Sequence, residues 1–197
     1  MSDAVLTDAA GVRLPPRERI LSAAYELFAQ RGIRDVGVEE LLARSGVAKA
    51  TFYKHFPSKQ ELVLAFLHRR EQVWTWGMVE AGARARGGTP EQQLLAIFDV
   101  FDDWFARADF EACSFINVLL EMGIEHPAGR ASVQYLDNIR AIVAGLAQEA
   151  GLDEVQEFAR SWHILMKGSI VSAAEGDPAA AGRAKVMARW LIEHHRS

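Results

Sequence analysis

Apolar residues recur every three or four positions along most of this chain, and this period constrains the fold more than any other feature. In residues 17–30 the apolar side chains Ile20, Leu21, Ala24, Leu27 and Phe28 share one face of a helix. No segment alternates apolar and polar residues as a half-buried strand does. Long stretches are rich in Ala, Leu, Glu, Arg and Gln, which lose little side-chain entropy in helices. The sequence therefore predicts an all-α fold.

Glycine and proline mark the ends of these periodic segments. Gly32 and Gly46 end two of them, and Ser58 precedes Glu61 at the spacing of a capping box. The run from Gly87 to Pro90 is the clearest internal loop. These breaks predict about nine helices, near residues 17–30, 38–45, 48–55, 58–83, 91–107, 111–123, 128–149, 153–175 and 178–195.

Charge is divided unevenly along the chain, although the net charge is only -4. Residues 1–70 contain 11 Lys and Arg against 8 Asp and Glu, whereas the remainder contains 11 against 18. A basic N-terminal part favours a polyanionic partner, since phosphate neutralisation supplies most sequence-independent affinity for DNA. The acidic remainder is expected to have a different task.

The sequence also predicts the compartment. Cys113 is the single cysteine and cannot form an intrachain disulfide, which fits a reducing environment. No signal sequence opens the chain, and no apolar run reaches the roughly 18 residues that span a bilayer. We therefore expect a cytoplasmic protein with no membrane partner.

Residues 38–56 have the form of two short helices joined by a tight turn, which is how a chain places side chains in the DNA major groove. Gly46 suits the left-handed backbone of such a turn, and Leu41, Val47, Phe52 and Phe56 would pack the pair against the first helix. No carboxylate occurs from Val47 to Gln60. The predicted DNA-binding residues are Lys49, Ala50, Thr51, Tyr53, Lys54, His55 and Lys59.

These residues divide by the chemistry of their side chains. Tyr53, Lys54 and Lys59 suit phosphate contacts, and the amide end of the fourth helix adds a partial positive charge. Ala50 and Thr51 suit base edges, through a methyl contact and a hydroxyl. Lys49 suits either partner. The sequence thus predicts affinity from one group of residues and base preference from another.

The run from Gly46 to Leu62, GVAKATFYKHFPSKQEL, resembles the recognition segment and the start of the fourth helix in the TetR (tetracycline repressor) family. Residues 20–32 resemble the family's first helix. The resemblance implies a three-helix DNA-binding head, a long fourth helix, a helical ligand-binding body and dimerisation through the last two helices. Ala48 and Gly37 replace the family's usual hydroxyl caps, and Leu42 replaces a small alanine. Local helix starts are expected to weaken by roughly 0.5 to 2 kcal/mol, less where glycine is the cap.

On this basis we predict three segments: a flexible arm at 1–14, a helix-turn-helix domain at 15–62, and a ligand-binding and dimerisation domain at 63–197. Aromatic side chains are numerous in the third segment, either as core or as the wall of an effector site. Polar residues among them could orient a ligand, whereas Cys113 is expected to be a small buried residue. The predicted ligand-binding residues are Trp74, Phe101, Trp104, Phe105, Phe115, Asn117, Glu121, Tyr135, Trp162, His163 and Met166.

Together these features predict a homodimeric repressor that binds a palindromic operator in double-stranded DNA and is released by a small-molecule effector. The aromatic body favours an uncharged or cationic, mostly apolar effector. A transcriptional activator on the same scaffold is the principal alternative. A helical enzyme is a weaker one, because no catalytic constellation, metal-binding spacing or cofactor motif is legible. We expect no catalytic residues, metal or cofactor.

Overall fold

The structure, a computed structural model, describes Thr7 and residues 12–196, and most of the predicted arm at 1–14 lies outside these residues. Among the described residues the regular structure is helical, apart from an isolated bridge between Thr7 and Arg13. The predicted all-α fold is confirmed. The α-helices are α1 (Pro16–Arg31), α2 (Val38–Ser45), α3 (Lys49–His55), α4 (Lys59–Arg70), α5 (Ala81–Arg86), α6 (Pro90–Phe105), α7 (Ser114–Met122), α8 (Pro127–Glu149), α9 (Val155–Ala174) and α10 (Ala180–His194).

Side-chain caps fix the starts of two helices. The Ser58 hydroxyl accepts a hydrogen bond from the Glu61 amide at 3.1 Å, so α4 begins where the sequence predicts. At α6, the Thr89 hydroxyl accepts from the Gln92 amide while the Gln92 side chain accepts from the Thr89 amide. This reciprocal capping box explains why the Gly87–Pro90 loop ends abruptly in a helix.

The fourth helix continues to Arg86, but its middle turns are wider than those of an α-helix. Glu71–Glu80 forms a ten-residue π-helix between α4 and α5. Its buried residues are Glu71, Trp74, Thr75 and Val79. Such a long π-helix is uncommon, because π-helices occur mostly as single-turn bulges inside α-helices. The sequence predicts a continuous α-helix here, so the π-helix is missed.

The segment before α7 stays non-helical, whereas the sequence predicts a helix from residue 111. Ala112 has φ of 58°, in the left-handed region that residues other than glycine rarely adopt. Because an α-helix cannot continue through such a residue, α7 starts two residues later, at Ser114.

The described chain forms two compact units that differ from the predicted consecutive segments. The first unit contains the residues up to Arg69 together with Ser114–Val133, and the second contains Arg70–Cys113 and the residues from Gln134 onward. Residues 114–133 are predicted to lie in the ligand-binding domain, whereas in the structure Glu121 of α7 bonds to the backbone at Ile33 and Arg34. A long-range contact of this kind has no signature in local periodicity.

In the first unit, α1 packs against α2 and α3 around fully buried apolar side chains, among them Ile20, Leu41 and Phe52. Arg19 on α1 is itself only 7% exposed. Its guanidinium donates to the carbonyl oxygens of Ser45 and Gly46, each at 2.9 Å. A buried cation thus satisfies the last carbonyls of α2, where an α-helix leaves acceptors without intrahelical partners.

Replacing Arg19 with methionine is expected to destabilise the first unit by about 3 kcal/mol, because two carbonyl groups lose a charged donor. The measurement is urea unfolding of the full chain followed by circular dichroism. Arg34→Met is the matched control, since Arg34 has an exposed side chain in the same unit. Equal losses in the two variants would show that the buried guanidinium contributes nothing specific.

In the second unit, α6 packs against α9 and α10. Lys185 on α10 donates to both carboxylate oxygens of Asp99 on α6, at 2.5 and 2.6 Å. The end of α10 is joined to the start of the α9 region by paired contacts between Asp153 and His195, at 2.8 and 3.0 Å. Among the described residues, no helix is long and apolar enough to cross a membrane.

Candidate nucleic-acid interface

The α2–α3 pair has the geometry of a helix-turn-helix. Gly46 has φ of 60° and ψ of 36°, the left-handed conformation predicted for the turn, and it ends α2. Four apolar residues predicted to hold the pair in place are all buried, and they are Leu41, Val47, Phe52 and Phe56. Fixing α3 through these side chains leaves its opposite face outward.

The outward face of α3 carries most of the residues predicted to contact DNA. Lys49, Ala50, Tyr53 and Lys54 are exposed, while Thr51 and His55 are half-buried. Tyr53 is held at one edge by an edge-to-face contact with Phe52, with ring centroids 5.3 Å apart. This arrangement brings hydroxyl, phenol and ammonium groups to one surface, although the individual roles of these residues remain predictions.

The run from Val47 to Gln60 contains no carboxylate, but the folded surface does contain one, contributed by α2. Glu39 on α2 accepts a hydrogen bond from the Lys49 ammonium at 3.0 Å. That bond, together with the charges of Glu39 and Tyr53, raises the pKa of Lys49. Both side chains are exposed, so the ion pair contributes little stability and a DNA phosphate could replace Glu39 as partner.

The Lys59 side chain binds the protein backbone, whereas the sequence predicts a contact with a DNA phosphate. Its ammonium donates to the carbonyl oxygen of Ile33 and lies 6.0 Å from the centre of the Phe28 ring. Burial lowers the pKa of Lys59, although the charges of Glu121 and Asp35 act in the opposite direction. The structure therefore uses Lys59 to hold the turn after α1, and the predicted phosphate contact would require that bond to break.

The starts of α2 and α3 have no side-chain caps. Gly37 and Ala48 occupy the N-cap positions in extended conformations, and neither can supply an accepting oxygen. The predicted weakening of these two helix starts stays a prediction. At the other end of α3, the Arg17 guanidinium lies 5.3 Å from the centre of the Phe56 ring.

The aromatic residues predicted to bind a ligand in the second unit form one packed cluster. The Trp74 ring centre is 6.0 Å from that of Phe101 and 5.3 Å from that of Trp104, and Phe101 lies 5.5 Å from Phe105. Phe98 joins Trp162 to this cluster. These contacts fit the core alternative in the sequence analysis, since each ring has other rings as neighbours.

The predicted polar ligand-binding residues of the second unit are buried to different degrees. Tyr135 is half-buried, and burial followed by the charge of Glu71 raises the pKa of its phenol. Met166 is 1% exposed and His163 is 3% exposed. Burial lowers the pKa of His163 to about 3, with the charges of Lys167 and Arg140 adding to the effect. The imidazole is therefore neutral at physiological pH.

The three remaining predicted ligand-binding residues, Phe115, Asn117 and Glu121, belong to the first unit. Phe115 is fully buried, Asn117 is exposed, and the Glu121 carboxylate is occupied by backbone amides. Sequence reasoning also missed Glu71, which is 5% exposed and whose carboxylate accepts from the Asn138 amide at 2.5 Å. Its neighbours Arg70 and Gln72 are polar, so nothing in the local sequence indicates that this carboxylate is buried.

Residues 20–66 match a family described as bacterial regulatory proteins, tetR family. The HTH-type transcriptional activator FasR of Mycolicibacterium smegmatis is 38% identical over 97 residues, which are 48% of this chain and 43% of FasR. The HTH-type transcriptional repressor NemR of Escherichia coli K12 is 24% identical over 106 residues, 54% of this chain and 53% of NemR. The chain thus spans about half the length of these two relatives.

A crystal structure of a TetR-family transcriptional regulator from Streptomyces coelicolor has the same fold. Its TM-score is 0.85 over 92% of this chain and 96% of that one, at 24% identity. The matched residues 20–66 contain the α2–α3 helix-turn-helix, and the fold of the chain is that of a TetR-family regulator. Over the matched residues the chain is similar to the TetR family, as the recognition segment predicts.

Proposed function

We propose that the chain binds a palindromic operator as a homodimer in the cytoplasm, represses transcription there, and releases the DNA when a small molecule binds its second unit. The observation that carries operator binding is the exposed α3 face, where Lys49, Tyr53 and Lys54 lie beside Ala50. Cationic and phenolic groups favour phosphates, and small side chains leave room for base edges.

Dimer formation is supported by apolar side chains left exposed on the last two helices. Trp190 is 62% exposed and Met187 is 47% exposed on α10, and Ile164 is 68% exposed on α9. Trp190 and Met187 also line a groove of about 330 Å³ with Leu165. Contiguous exposed apolar surface of this kind is typical of a protein interface, and two helices from each subunit would form a four-helix contact.

A two-fold dimer would present two α3 helices to successive major grooves, about 34 to 36 Å apart. Repression follows if the occupied operator overlaps the site used by RNA polymerase. Activation is the second candidate, because FasR, which matches this chain at 38% identity, is named an activator. A reporter gene placed behind the selected operator distinguishes the two by the direction of its change.

The proposed effector is an uncharged or cationic, mostly apolar molecule that binds among the aromatic residues of the second unit. Trp74, Phe101 and Trp104 already contact one another, so a ligand inserted between them must displace rings. Binding would then favour a rearranged state, as release from DNA requires. Thermal-shift measurements over a compound panel test this chemistry, and a response confined to small polar sugars would contradict it.

Selection of genomic fragments by the purified full chain tests operator binding directly. With the selected site, Tyr53→Ala and Lys54→Ala are expected to weaken binding about tenfold for every DNA sequence, because each removes a phosphate contact. Lys54→Ala should also lower the salt slope by about one per contacted phosphate. Thr51→Ala is expected to change base preference more than affinity, since its hydroxyl faces base edges.

The control for these variants is Arg160→Ala, which removes one positive charge from an exposed residue of α9. It should leave affinity, salt slope and base preference unchanged. Equal changes in salt slope for the Tyr53, Lys54 and Thr51 variants would refute the division between phosphate and base contacts.

A further inference from the structure

The turn after α1 is held by side chains from two other helices of the first unit. The Glu121 carboxylate of α7 accepts hydrogen bonds from the Ile33 amide at 2.9 Å and the Arg34 amide at 2.5 Å. The Lys59 ammonium of α4 donates to the Ile33 carbonyl. Three backbone groups of this turn are thus bound by two charged side chains.

Gly32 makes this contact possible. Its φ is +80°, and an added Cβ would lie 3.0 Å from Oε2 of Glu121 and 3.3 Å from the carboxyl carbon. Any side chain at this position would therefore meet the carboxylate in a backbone conformation that already favours glycine. Two successive amides directed at one carboxylate form a small anion-binding concavity.

The bound turn is connected to both ends of α3. Upstream, Arg19 of α1 holds the carbonyls of Ser45 and Gly46, immediately before α3 begins. Downstream, Lys59 is the first residue of α4, which follows α3 after three residues. The turn is thus bound to the first residue of α4, and it directly follows the helix whose Arg19 binds the backbone before α3.

The helix that carries Glu121 follows directly from the second unit. The chain leaves that unit at Cys113 and enters α7 at Ser114, just after the left-handed Ala112. Glu121 thus lies about two helical turns after the point where the chain passes from the second unit to the first.

We propose that Glu121 is a positioning residue for DNA binding, whose carboxylate fixes the α1–α2 turn to α7 and thereby sets where α3 is presented. This replaces the effector contact predicted for Glu121 from sequence. The inference rests on the proposed operator binding by α3, because positioning has meaning only if α3 meets DNA.

The test compares Glu121→Gln and Glu121→Ala with Glu125→Gln in the full chain. Glutamine keeps the size of the side chain but can accept at only one of its two terminal atoms, so one amide loses its partner. Glu125 is exposed and lies four residues away, so Glu125→Gln removes the same charge without the contact. The two readouts are hydrogen exchange at the Ile33 and Arg34 amides and affinity for the selected operator.

We expect Glu121→Gln to speed exchange of at least one of these amides about tenfold and to weaken operator binding about tenfold, as loss of one charged hydrogen bond implies. Glu121→Ala should exceed both effects, and Glu125→Gln should match the wild type. Circular dichroism of Glu121→Gln checks that the isosteric variant remains folded.

Unchanged exchange at Ile33 and Arg34 in Glu121→Gln would overturn the contact itself. Faster exchange with wild-type operator affinity would overturn its role in positioning α3. If the wild-type chain bound no double-stranded DNA at all, the proposed function would fail along with the inference. If the wild type bound the operator and the Glu121 variants bound it equally well, only the proposed role of Glu121 would be refuted.

Discussion

Replacing Trp190 with aspartate is expected to convert the proposed dimer into monomers at micromolar concentration. Trp190 is 62% exposed in the single chain and would occur twice in a two-fold interface. A buried interface tryptophan typically contributes about 2 kcal/mol or more, so two copies weaken association about a thousandfold. Analytical ultracentrifugation gives the dissociation constant, and operator binding should fall with the dimer population.

Val73→Asp is the matched control, because Val73 is 57% exposed in the π-helix of the same unit but lies outside α9 and α10. It introduces the same charge in place of an exposed apolar side chain. If Trp190→Asp had the same dissociation constant as the wild type, or if both variants weakened association equally, the dimer interface would not be formed by α9 and α10.

Acidification from pH 7.5 to pH 5 is expected to destabilise the protein by about 2 kcal/mol through His163 alone. The pKa of this buried imidazole is about 3 in the folded chain, whereas the ordinary value is 6.5. Because the folded pKa is lowered, the unfolded chain binds the proton first. The free energy of unfolding therefore falls as pH decreases below 6.5 and continues to fall until about pH 3.

His163→Leu should flatten this dependence, since no imidazole remains to be protonated on unfolding. Urea unfolding at several pH values measures the slope, which separates titration from any pH-independent packing defect of the variant. His194→Gln is the control, because His194 is exposed on α10. The same slope in wild type and His163→Leu would show that the buried imidazole is not the titrating group.

Helix positions were predictable wherever the signal is local. Ser58 and Gly46 fix their helix ends through a hydroxyl cap and a left-handed backbone, and both properties belong to the residue itself. The start of α7 was not predictable, because the left-handed Ala112 is a conformation that alanine avoids without tertiary constraints. The same holds for the π-helix at Glu71–Glu80.

The outward residues of α3 were predictable for a related reason. Phe52 and Phe56 are apolar and the residues between them are polar, so helical geometry alone decides which face is buried. The partners of long charged side chains were not predictable. Lys49 meets Glu39, which lies ten residues earlier, and no rule of sequence spacing selects that pair across a turn.

By itself, the sequence determined the helical class, the helix-turn-helix segment and the likeness of residues 20–66 to a known family, because these depend on residue type and on spacing within one or two helical turns. Only the tertiary structure decided the use of Lys59 and Glu121, two residues 62 positions apart whose charged groups bind the same turn. The partners of these two side chains could be identified only from which backbone groups lack hydrogen-bond partners within their own helices, and that depends on how helices far apart in the sequence pack.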